Sequence, residues 1–108
     1  MIISFDNRDL LECCTNLAAA EQRLGSAHAQ TLVSLIADAE ALDSADELID
    51  YLGPAAQVDE DDTLVLTIGS EYLGEFVVLG TRAIHNENGK VDWSSVQRLK
   101  LVNILRSA

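Results

Sequence analysis

The amino-acid sequence predicts a single α+β domain. An N-terminal strand and two antiparallel helices plus a short third helix should pack on a small, mainly antiparallel sheet. The chain has 108 residues, which suffices for one hydrophobic core. Hydrophobic residues make up 48% of it, as in ordinary globular proteins. Helical periodicity in the first half gives way to β-type runs in the second, and this order is typical of α+β folds. We expect the domain to span residues 1–108.

The N-terminal segment reads as a strand followed by a helix. Residues 1–5 form a β-branched and aromatic run that ends at the turn signal Asp6-Asn7. From Asn7 to Leu24, apolar residues recur at steps of three and four, which predicts one amphipathic helix. Gly25 is placed to be its C-terminal cap.

Two further helices are expected before the sheet. Ser26 is placed to cap the second helix, and the apolar face of this helix would consist of Ala29, Leu32, Val33, Ile36 and Ala39. Ser44 followed by Glu47 has the form of a capping box. It precedes a short apolar helix that Gly53-Pro54 should end.

The second half of the chain predicts antiparallel strands. Residues 63–68 are an almost continuous β-type run, residues 69–74 should turn the chain, and residues 75–79 should form the next strand. Residues 85–90 read as a polar loop with Asn88-Gly89 at its tight turn.

The C-terminal segment, residues 96–105, fits two interpretations. Alternation would place Leu99, Leu101 and Leu105 on one face of a strand, whereas the spacing of Val96, Leu99 and Val102 also suits a helix. Periodicity does not decide between them.

Charge restricts the classes of partner. The 18 acidic and 7 basic residues give a formal charge of −11, so a phosphate backbone or an anionic membrane would be repelled. We therefore expect no nucleic-acid or membrane partner and, if there is a protein partner, a basic one. The neighbouring Cys13 and Cys14 cannot easily bridge each other, and no signal-like run or membrane-length apolar stretch occurs. A cytoplasmic protein is expected, and a homodimer remains open.

Several local patterns resemble the RelE/HigB-type toxins of bacterial toxin–antitoxin modules, in particular the killer-suppression-protein branch. They are the opening Ile3-Ser4-Phe5, the segment 45–56, the step Asp92-Trp93-Ser94-Ser95-Val96, and the following residues 99–104. The resemblance implies a RelE/ParE-like fold with a C-terminal strand. It also implies metal-free cleavage of messenger RNA on the ribosome by arginines, lysines and often a tyrosine or histidine on the sheet.

The chain departs from this pattern where the chemistry would lie. Acidic residues Asp59, Glu60, Asp61 and Asp62 replace a basic segment, and Gly74-Glu75 stands where an arginine usually opens the next strand. The ending Arg106-Ser107-Ala108 lacks the usual aromatic and histidine. Metal-free RNA cleavage needs a cation beside the phosphate and a group that moves protons. We therefore expect a degenerate scaffold with no catalytic residues. If activity remains, the candidate catalytic residues are Arg82, His85, Arg98 and Lys100 in a rearranged site.

The candidate binding residues are Asp59, Glu60, Asp61, Asp62 and Tyr72. Tyr51 is another exposed-anchor candidate, whereas Trp93 is expected to cover the core. We expect no metal and no cofactor, because His28 lacks a spacing partner and the acidic run lacks the glycine of an EF-hand. Three functions stay open: a protein-binding domain, a ribosome-dependent ribonuclease, and an unrelated small-ligand-binding accessory protein.

Overall fold

The protein has an α+β fold in which helices and a five-stranded mixed sheet form two layers, as a computed structural model describes it for residues 1–79 and 91–106. The predicted loop 85–90, with its Asn88-Gly89 turn, lies outside these residues. Two single-turn 3₁₀ helices cover Gly53–Ala55 and Trp93–Ser95. In chain order the described elements are β1 (Ile2–Phe5), α1 (Arg8–Thr15), α2 (Leu17–Leu24), α3 (Ser26–Ala41), α4 (Ala45–Leu52), β2 (Ala56–Val58), β3 (Leu64–Ile68), β4 (Tyr72–Val78) and β5 (Arg98–Arg106).

The prediction of one continuous first helix is wrong, because the segment forms two helices, α1 and α2, with a break at Asn16. The Asn16 backbone is extended, at φ −124° and ψ 111°. Its side-chain oxygen accepts hydrogen bonds from the backbone N–H groups of Ala18 and Ala19, at 3.0 and 3.3 Å. Asparagine side chains compete with helical hydrogen bonds in this way and so favour caps over helix interiors.

The predicted helix ends are mostly confirmed. Gly25 caps α2 with φ 85°, although the prediction that Ser26 caps α3 is wrong, because Ser26 is the first residue of that helix. At α4, Ser44 Oγ accepts from the Glu47 N–H at 3.4 Å. The Glu47 carboxylate accepts from the Asp43 N–H at 3.0 Å, one residue before its partner in a standard capping box.

The sheet has the strand order β1-β5-β4-β3-β2. Its neighbours are antiparallel except for β1 and β5, which run parallel. Residues 98–106 are therefore a strand, which decides between the two interpretations of the C-terminal segment. The strand β2 has no counterpart among the predicted elements. β4 starts at Tyr72, so Gly74 lies inside a strand and not in the predicted turn.

A bulge in β5 changes which of its side chains face the core. Glu75 pairs with Asn103 but Phe76 pairs with Leu101, which leaves Val102 as an extra residue. The in-and-out alternation therefore restarts after Val102. Leu99, Leu101 and Ile104 are buried, whereas Leu105 is 40% exposed, so the predicted grouping of Leu105 with Leu99 and Leu101 is wrong.

The core lies between the helices and one face of the sheet. Leu32 of α3, Leu48 of α4 and Phe76 of β4 are among its largest fully buried side chains. Cys13 and Cys14 are free thiols and both are buried. Trp93 is half-buried against the core, as expected. Among the described helices, none is long and apolar enough to cross a membrane.

Candidate functional site

The face of the sheet opposite the core, called the open face below, contains two of the basic candidates. Arg98 pairs with Ile2 of β1, and Lys100 pairs with Ser4. Both lie out of phase with the buried Leu99 and so share the open face. The open-face residues are all exposed or half-buried: Ile2, Ser4, Gln57, Val65, Thr67, Leu73, Glu75, Val77, Arg98, Lys100, Asn103 and Leu105.

Carboxylates balance these cations. Lys100 Nζ lies 3.0 Å from Asp6 Oδ1, and Glu75 lies on the same face opposite Asn103. Arg98 makes no ion pair with any described residue. The candidates Arg82 and His85 lie outside the described residues. In the described part, the open face thus presents one arginine and one lysine that is paired with a carboxylate, and it has no imidazole to move protons.

The candidate residues Asp59 to Asp62 form the turn between β2 and β3, called the acidic turn below. Asp59 Oδ1 accepts hydrogen bonds from the backbone N–H groups of Asp61, at 2.8 Å, and Thr63, at 3.0 Å. Asp62 adopts a positive φ of 59°. These features give Asp59 a structural role in closing the hairpin. Glu60 and Asp61 remain exposed at the tip.

The structure does not bring Tyr72 to the acidic turn. Tyr72 pairs with Ile68, at the end of β3 remote from that turn. Its ring is half-buried and meets His28 of α3 edge-on, with ring centroids 5.3 Å apart. His28 also lies over Gly69 in the β3–β4 turn. Tyr72 and His28 therefore belong to the packing of α3 on the sheet.

A surface groove lies between α3, α4 and the end of β3, and sequence reasoning missed it. The groove has a volume of about 560 Å³ and is lined by, among others, Gln30, Thr31, Ser34, Asp38, Tyr51 and Leu52. It continues into a smaller depression of about 150 Å³ that shares Asp38 and Tyr51. We call the two together the α3–α4 groove. Tyr51 is 63% exposed, the highest value among the described large hydrophobic side chains.

Acidic residues are concentrated in the part of the chain that includes α3 and α4, the helices that border the groove. Residues 24–81 contain twelve of the 18 acidic residues and no lysine or arginine. The helices that border the groove carry five exposed carboxylates, on Asp38, Glu40, Asp46, Glu47 and Asp50. The absence of cations over so long a stretch was visible in the sequence. The total charge alone does not reveal it.

Neither a metal centre nor a relative identifies the site. Within the described ranges, no group of three or more His, Cys, Asp and Glu side chains is placed to hold a metal ion. No protein-family model matches the chain, and neither a curated protein nor a solved structure matches it significantly.

Proposed function

We propose that this protein is a non-catalytic domain on a scaffold like that of the RelE/HigB-type toxins, and that it works by binding a basic protein partner. The observation that carries the proposal is the charge segregation. The helices α3 and α4 carry exposed carboxylates and contain no lysine or arginine of their own. A surface of one sign attracts a partner of the opposite sign and raises its association rate.

The state of the cations supports binding over catalysis. Lys100 is held by Asp6, so it is less able to stabilise an additional negative charge on a phosphate. The surplus of carboxylates would also repel an RNA substrate. The proposal places the protein in the cytoplasm, since two free, buried thiols suit a reducing compartment.

One observation favours a second candidate function, the ribosome-dependent ribonuclease. Arg98 and Lys100 are two residues apart on β5 and share the open face, and the family resemblance implies catalytic groups on the sheet. In this alternative they would act together with Arg82 and His85.

Induced expression in a bacterial host separates the two functions. Growth and messenger-RNA integrity are followed over the next hour, and the binding proposal expects both to be unaffected. Growth arrest with cleaved transcripts, abolished by Arg98→Ala or Lys100→Ala, would establish the ribonuclease instead. Arg106→Ala is the matched control, because Arg106 pairs with Glu71 at 3.3 Å and has the phase of the buried Ile104.

The partner class is tested by capture on the immobilised full-length chain. We expect the retained proteins to be basic and to be released as ionic strength rises, because salt screens exposed charges. Captured proteins with no excess of lysine and arginine, or retention that is insensitive to salt, would contradict a basic partner.

A further inference from the structure

We propose that the α3–α4 groove is the docking site for a helical segment of a partner protein, and that an arginine of this segment binds between Asp38 and Tyr51. The inference rests on the proposed function and deepens it by naming the surface and the residue chemistry. It differs from the expectation that the acidic turn is the contact, because that turn has a structural explanation in the hydrogen bonds of Asp59.

The residues that line the groove follow one face of α3, as the packing of a second helix along it requires. Its lining residues on α3 include Ala27, Thr31, Ser34, Asp38 and Ala41, which recur at steps of three and four and so follow one face of the helix. Most of these side chains are short, which allows a second backbone to approach closely. From Ala27 to Ala41 the helix rises by about 21 Å, the length of roughly four turns.

The two depressions that make up the groove share a carboxylate and an aromatic ring. Asp38 and Tyr51 line both the large and the small depression, and both side chains are exposed. Asp38 forms no ion pair with a described residue. A guanidinium can pair its planar fork with a carboxylate while it stacks on an aromatic face. A lysine ammonium lacks the planar fork, so the pair selects arginine.

The occupant is a partner's helix for two reasons. A helix satisfies its own backbone hydrogen bonds, and it can pack along the row of mostly short α3 side chains that lines the groove. A second copy of this chain would bring a net charge of −11 against a like-charged face. Leu35 and Leu52 in the lining provide apolar contact for the rest of the segment.

The probe is a fluorescent alanine-rich helical peptide of about 14 residues, the length of the groove, with arginine at every fourth position. The matched probe carries lysine at those positions. Binding to the full chain is measured by fluorescence anisotropy at low ionic strength, and amide chemical shifts locate it. We expect the arginine peptide to bind about fivefold more tightly than the lysine peptide, with shifts concentrated in α3 and α4.

Single substitutions at exposed positions identify the contacts without threatening the fold. Asp38→Asn and Tyr51→Ala should each weaken binding of the arginine peptide about tenfold, whereas Tyr51→Phe, which keeps the ring, should change it less than about twofold. Glu60→Gln removes one charge from the acidic turn and is the control. It should leave the affinity unchanged, and amide spectra confirm that each variant is folded.

The outcomes separate this inference from the proposed function. If Glu60→Gln weakens binding as much as Asp38→Asn, or if both peptides bind equally, attraction is by net charge and the groove is refuted, while binding of a basic partner stands. If neither peptide binds, the groove is refuted and the capture experiment alone decides the partner class. Growth arrest on expression would refute the proposed function whatever the peptides do.

Discussion

The contact between His28 and the β3–β4 turn makes a quantitative prediction for Gly69→Ala. Gly69 has φ 63°, a conformation that side-chain-bearing residues rarely adopt. A Cβ atom there would lie 2.4 Å from His28 Cδ2 and 3.0 Å from Nε2. The substitution therefore combines backbone strain with a steric overlap that forces the His28 ring to move.

The two costs can be sized separately. A non-glycine residue in the left-handed region costs about 1–2 kcal/mol. His28 is half-buried, so its ring has room to turn outwards, and the cost of the overlap is then the lost edge-on contact with Tyr72, about 0.5–1.5 kcal/mol. Gly69→Ala should lower the free energy of unfolding by about 1.5–3.5 kcal/mol in total, or the melting temperature by roughly 10–15 °C.

A thermodynamic cycle with His28→Ala tests this reasoning. Urea unfolding is measured for the wild type, each single variant and the double variant. In the His28→Ala background, Gly69→Ala should cost only the backbone strain, about 1–2 kcal/mol. Gly53→Ala is the control, because its φ is also positive but no atom lies within 4 Å of its Cβ position, so its cost should not depend on His28. Equal costs of Gly69→Ala in both backgrounds would refute the steric account.

Two further predictions concern buried and turn residues. Burial raises the pKa of the Cys14 thiol from 9.0 to about 12. The stability that the buried neutral thiol contributes is therefore complete below pH 9 and is lost as the pH rises towards about 12. Cys14→Ala should make the free energy of unfolding in urea fall less steeply above pH 9, and an unchanged slope would contradict this. Asp59→Ala should lower the unfolding free energy by about 1 kcal/mol, because two backbone N–H groups lose their acceptor. Glu60→Ala at the same turn should change it by less than about 0.5 kcal/mol, and equal effects in thermal melts would show that Asp59 has no special role.

The candidate site was only partly accessible to sequence reasoning. The sequence named Arg98 and Lys100 as candidate residues, and the structure places both on the open face. The ion pair of Lys100 with Asp6 was missed, because it joins residues 94 positions apart in the chain. The α3–α4 groove was also missed, since a groove exists only where packing leaves a gap. Its charge, by contrast, could have been found by counting cations along residues 24–81.

Local chemistry accounts for what the sequence determined by itself. The α+β class, the cap at Ser44, the ends at Gly25 and Gly53, and the strand within residues 63–68 follow from side chains and backbone preferences a few residues apart. The break at Asn16 also has a local signal, because asparagine favours a helix cap, but the apolar residues continue at helical spacing on both sides of it and predicted one unbroken helix.

The tertiary structure alone decided the remaining features, because each depends on residues far apart in the chain. The parallel pairing of β1 with β5 joins the two ends of the domain, so no local signal specifies it. The bulge at Val102 depends on its register with Glu75 and Phe76, and it exposes Leu105 although simple alternation would bury it. The positions of Asp38 and Tyr51 along one groove arise only when α3 and α4 pack on the sheet, since burial of the shared core fixes how the helices lie.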